Sequence, residues 1–160
     1  MAHITIEYVI MIPILLLQIF LFPLTTSWLM NTWVDSRRTI ALQEIASHLG
    51  STIQQIYFSV NHETMAAETV TQKSDLPLFI ENYPYSGNAT LKTVLDPALN
   101  SSKILEITLK IGTIGTTATT SVILGQNVLW KNSTFTSNSA GASIVAEKLA
   151  DGTIRLSFGG

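Results

Sequence analysis

The chain contains no cysteine, so a disulfide framework, a thiolate metal site and a Cys nucleophile are all excluded at once. A domain of this size outside the cell then holds together by packing, by assembly, or by both. Charge is scarce as well. Asp, Glu, Lys and Arg make up 12% of the 160 residues, about half the usual share, whereas the apolar fraction of 46% is ordinary. A net charge of −2 supplies no cationic field for nucleic acid, whose binders cluster Lys and Arg against phosphates. Nucleic acid is therefore not an expected partner.

What charge there is avoids the N-terminal region. From Met1 to Val34 the only charged side chain is Glu7, and Asp35, Arg37 and Arg38 follow directly. Within Ile10–Leu24 (IMIPILLLQIFLFPL) the one polar side chain is Gln18, a composition suited to crossing a bilayer. Tyr8, Trp28 and Trp33 lie towards the ends of the run, where amphipathic rings meet headgroups. A cleavable secretory signal has an apolar region of about 7–15 residues. The stretch from Ile4 to Val34 is roughly 31 residues, about 46 Å as a helix, against about 30 Å of hydrocarbon.

Beyond Arg38 the residues Leu42, Ile45, Leu49, Ile53, Ile56 and Val60 recur at the spacing of one helix face. The pattern predicts helix to about Thr71, with Ser74, Asp75 and Pro77 as the stop. Gly50 weakens such a helix by about 1 kcal/mol, too little to end it. The expected division is a long helix over residues 1–72 and a β-rich, surface-exposed domain over 76–160. A rod of that length carries more apolar surface than one small domain can cover, so part of it requires lipid or other subunits.

The C-terminal half changes to Thr-rich, β-branched runs broken by Gly, Asn and Pro. These predict strands at Leu91–Leu95, Ile104–Ile111, Thr117–Leu124, Val128–Lys131, Ser143–Leu149 and Thr153–Phe158. Asp151-Gly152 marks a hairpin and Gly125-Gln126-Asn127 a turn. Ile111 to Thr117, with two glycines, marks a bend, and Tyr83 to Asn88 is expected to be a surface loop. Ile154, Leu156 and Phe158 alternate with Thr153, Arg155 and Ser157, giving one packed and one wet face. The fold class predicted is α+β: a long N-terminal apolar helix followed by a small antiparallel β-sandwich-like domain.

Few residues suggest chemistry. His3, His48 and His62 have no metal-ligand spacing, no Ser is set in a nucleophile elbow, and the glycines after Ile111 lack the Lys of a phosphate loop. Neither a cofactor nor catalysis is expected. Three Asn-x-Ser/Thr triplets, at Asn88, Asn100 and Asn132, lie beyond the helix in turn-like surroundings and are candidate glycan acceptors. Pro13 and Pro23 each cost about 3 kcal/mol in an isolated helix, and a membrane helix tolerates them. Glu7 is expensive at membrane depth unless it is paired or near an interface.

His3-Ile4-Thr5-Ile6-Glu7-Tyr8 followed by the apolar run resembles the N-terminus of archaeal type IV pilin-like proteins (the class III signal peptide type). The resemblance implies cleavage between Ala2 and His3 by a prepilin peptidase, leaving Glu7 four residues beyond the cut. It also implies that the Glu7 carboxylate offsets the new α-amine of a neighbouring subunit in the filament, a pairing favoured where water is excluded. Prolines such as Pro13 and Pro23 are frequent in pilin-like helices. By the positive-inside rule alone Arg37 and Arg38 belong in the cytoplasm, whereas the pilin-like arrangement puts them outside.

The expectation is a self-assembling subunit of an extracellular filament. It resides in the cytoplasmic membrane as a precursor and is then polymerised through its helix by an assembly platform and ATPase for adhesion or surface attachment. The alternative is a single-span anchored surface protein, or a minor pilin-like component, whose β domain binds a ligand.

Overall fold

The computed structural model describes the backbone of residues 2–93 and 102–159 and the side chains of residues 9–93 and 102–159. One helix, α1, runs Ala2–Val60, and eight strands follow. The chain divides into two compact units, Met1–Arg37 and Arg38–Gly160. The first unit is helix throughout its described backbone.

In the second unit the helical stripe does what its spacing predicts. Leu42, Ile45, Ala46, Leu49, Ile53, Ile56, Tyr57 and Val60 are all buried, and they join the sheet side chains in one hydrophobic cluster. The helix stops at Val60, eleven residues short of the predicted Thr71. The apolar stripe ends there, and Asn61 donates its N–H to the Tyr57 carbonyl in the closing turn. His62 Nδ1 meets Thr64 Oγ1 at 2.9 Å, folding the chain away from a helical path. Thr69–Lys73, where the pattern predicts the last residues of the helix, is instead strand β1. Its β-branched Thr69, Val70 and Thr71 pair with Glu147, Ala146 and Val145. The second unit therefore takes in the last part of α1, from Arg38 to Val60, together with all eight strands.

Two four-stranded sheets make up the rest. One has the order β1-β7-β8-β5, from Thr69–Lys73, Ser143–Lys148, Ile154–Gly159 and Val128–Trp130; the other has β4-β3-β2-β6, from Thr117–Leu124, Lys103–Ile111, Tyr85–Thr93 and Thr134–Thr136. The class is α+β, and every strand pair but one is antiparallel. The exception is β5, which runs parallel to β8. From β5 the chain crosses to the other sheet as β6, a strand the sequence reading missed at only three residues, and so cannot return to β8 as a hairpin. Phe135 on β6 and Phe158 on β8 meet edge to face at 5.7 Å, and Trp130 on β5 meets Phe158 at 4.9 Å, so aromatic rings join the two sheets.

Alternation decides which strand residues are buried. Leu105, Ile107, Leu109 and Ile111 of β3 and Ile154, Leu156 and Phe158 of β8 point into the core. Gly50 packs α1 tightly against β4. A Cβ there would lie 2.8 Å from Val122 Cγ2, so only Gly lets the helix seat this deeply. Gln43 and Gln54 donate to the Thr119 and Ile123 carbonyls of edge strand β4 at 3.3 and 3.5 Å.

The Asp151-Gly152 hairpin is present between β7 and β8. Gly152 has φ 81°, and Leu149 and Thr153 close the loop through the Leu149 N–H. The bend after Ile111 joins β3 to β4, with Gly115 at φ 80°. The predicted surface loop Tyr83–Asn88 is corrected: β2 begins at Tyr85, whose ring is 1% exposed. Its alternation with Gly87 and Ala89 turns one face into the core. A Cβ on Gly87 would collide with the Leu109 side chain, which explains a glycine in the middle of a strand.

Candidate assembly surface

The first unit is notable for what stays uncovered. Between Val9 and Trp33, seventeen large apolar side chains are each 49–74% exposed. None of the most apolar 18-residue window is buried, and its mean hydropathy is 2.3. This is the one described helix long and apolar enough to cross a membrane. Monomeric soluble proteins rarely expose contiguous apolar patches above a few hundred Å².

The three threonines of this stretch are bonded back onto the helix backbone. Thr25 Oγ1 donates to the Leu21 and Phe22 carbonyls, Thr26 to Phe22 and Thr32 to Trp28, all within 3.0 Å. A Thr bonded in this way presents its methyl group outward and leaves no hydroxyl donor unused in an apolar medium. Pro13 and Pro23 sit inside α1 without interrupting it. Each removes one backbone donor.

At the end of the stretch the Arg37 guanidinium lies 4.9 Å from the Trp33 ring centroid, a cation–π contact. Arg38, first residue of the second unit, donates from Nε to Glu81 Oε2 at 2.7 Å and lies 5.5 Å from the Tyr83 ring. Sequence spacing gave no sign of the Arg38–Glu81 pair, whose partners are 43 residues apart.

Of the other residues singled out by sequence, the side chains of Ala2, His3 and Glu7 lie outside the described residues, as does Asn100. Asn132 is exposed in the connection between β5 and β6. Asn88 is also exposed, but its turn-like setting is corrected. It lies in β2, paired with Thr108 of β3 and Thr134 of β6.

Two titrating groups in the second unit are displaced. Burial pushes the Tyr85 phenol up to about 12, and its OH donates to the Pro77 carbonyl at 2.7 Å. Asp151 is held below the usual carboxylate range, first by the Thr153 backbone N–H and then by the Thr153 side chain. Among the described residues no three His, Cys, Asp or Glu side chains are grouped to hold a metal ion. No protein-family model, curated protein or solved structure was found to match the chain.

Proposed function

We propose that this chain is the structural subunit of an extracellular type IV pilus-like filament. It is held in the cytoplasmic membrane before assembly and polymerised through α1, with an adhesive or surface-attachment role. The observation that carries the reading is the contrast along one helix. From Leu42 to Val60 the apolar stripe is buried in the chain's own β unit, whereas from Val9 to Trp33 nothing covers it. Burying seventeen such side chains from water is worth on the order of tens of kcal/mol gross. Transfer from lipid recovers far less, so packing between helices sets the assembled state.

The resemblance of His3–Tyr8 to pilin-like N-termini supplies the processing step: a prepilin peptidase cut after Ala2, with Glu7 pairing to the α-amine of a neighbour.

The same uncovered surface also suits a single-span anchor whose β unit faces outward. Negative-stain microscopy and N-terminal mass spectrometry of protein sheared from cells separate the two. Filaments composed of this chain, beginning at His3, support the filament reading. A detergent-soluble monomer that never polymerises removes it. Glu7→Ala is expected to reduce filament yield sharply while the β unit stays folded, and normal yield would strip Glu7 of its assembly role.

A further inference from the structure

The second unit carries one segment built to present apolar side chains outward. Between Pro77 and Tyr83 the chain makes a two-residue turn: the Ile80 N–H donates to the Tyr83 carbonyl at 3.0 Å and the Tyr83 N–H to the Ile80 carbonyl at 2.9 Å. The central residues, Glu81 at φ 47° and Asn82 at φ 69°, are the two non-glycine residues with positive φ among the described residues. Such a turn favours Asn and Gly, and a Glu in the first position is strained.

The surroundings hold it in place. Arg38 pairs with Glu81 at 2.7 Å, the Tyr85 OH donates to the Pro77 carbonyl at 2.7 Å, and Ser137 Oγ donates to the Leu78 carbonyl at 2.8 Å. On this pinned segment Leu78 is 54% and Phe79 49% exposed. The other exposed large apolar residues of the unit, Ile40, Phe58, Ile123 and Leu129, occur singly on helix or strand. Exposed neighbours on a strained, fastened loop have the character of a contact and not of incidental surface.

We propose that the Leu78–Phe79 tip docks on the apolar Val9–Trp33 helix surface of a second copy of this chain. Size identifies the occupant. Two half-exposed side chains offer on the order of 200 Å², well short of the roughly 1,000 Å² a specific interface needs. The tip therefore binds something already held by a larger contact. Among the described residues the one larger apolar surface is the helix of the first unit. Charge agrees, because Glu81 beside the tip is already paired with Arg38 and brings no uncompensated carboxylate to an apolar partner.

The proposal rests on self-assembly through α1, and its test keeps the two apart. A photoreactive benzoylphenylalanine replaces Phe79 in one preparation of the full chain and Phe20, on the helix, in another; assembled material is irradiated and cross-linked peptides are mapped by mass spectrometry. Covalent dimers are expected from both, with the position-79 adduct falling within residues 9–33 of the other copy and vanishing on dispersal in detergent. Dimers from position 20 alone, or a position-79 adduct in the partner's β unit, overturn the docking and leave assembly standing. Absence of dimers from both positions removes self-assembly and the docking with it.

Discussion

Replacing Gly50 with Ala tests how closely α1 is seated on the β3–β4 face, because two effects of opposite sign meet at one atom. Ala favours a helix over Gly by about 1 kcal/mol. Against this, the added Cβ would stand 2.8 Å from Val122 Cγ2, with Thr120 Cγ2 next at 3.5 Å and Ile107 Cδ1 at 3.9 Å. Val122 is β-branched and 7% exposed, so it has little room to rotate away. Overpacking of this kind costs roughly 1–3 kcal/mol, and Gly50→Ala is therefore expected to be neutral to about 2 kcal/mol destabilising. Val122→Ala removes the obstructing methyl. In that background the nearest remaining contact is the ordinary one to Thr120, and Gly50→Ala should stabilise by about 1 kcal/mol. The coupling between the two positions is then about 1–3 kcal/mol. Denaturant titration of the full chain in mild detergent, followed by circular dichroism on all four members of the cycle, measures it. A full gain from Gly50→Ala with Val122 intact, and no coupling, would refute the close seating of helix on sheet.

Three further outcomes are expected. The raised Tyr85 phenol stabilises the fold while neutral, an effect fully present below pH about 10 and lost as pH rises towards about 12, by roughly 2–3 kcal/mol in all; Tyr85→Phe should lose about 1 kcal/mol at neutral pH through the Pro77 hydrogen bond yet show a shallower alkaline decline, and parallel pH curves would refute this. Asn82→Gly, which suits φ 69°, should raise stability by up to about 1 kcal/mol in thermal melts, whereas Glu81→Ala should lower it by about 1 kcal/mol through the partly buried pair with Arg38. Asn132→Gln should reduce the intact mass of protein from its native host by one glycan and Asn88→Gln should leave it unchanged, because β2 is hydrogen-bonded on both sides at Asn88.

The sequence disclosed the helix, its buried stripe, the hairpin at Gly152 and most strand positions, because period and turn chemistry are local properties. It misplaced features that depend on distant partners. Thr69–Lys73 became a strand only because β7 lay ready to pair with it. Tyr85 was read as loop because Pro84, Gly87 and Asn88 have turn character, yet Leu109 and Phe135 pack against that stretch and leave room for glycine alone. The parallel β5–β8 pair and the Arg38–Glu81 bridge likewise join residues no window of sequence brings together. The apolar character of Val9–Trp33 was legible throughout. What could not be read was how the amphipathic stripe divides from it: Leu42–Val60 finds its cover within the chain, and Val9–Trp33 does not.

The central position of β8 bears on the order of events at the ribosome. Strand Ile154–Gly159 lies between β7 and β5 in its sheet, so neither neighbour can complete its pairing there until residues near 159 have been made. The Leu42–Val60 face of α1 shares a core with those strands and leaves the ribosome roughly a hundred residues earlier, a lag of about 5–20 s at typical synthesis rates. During that interval the nascent chain carries two greasy helical stretches, one that its own sheets leave bare and one awaiting them, and early capture at a lipid surface or by a chaperone would shelter both.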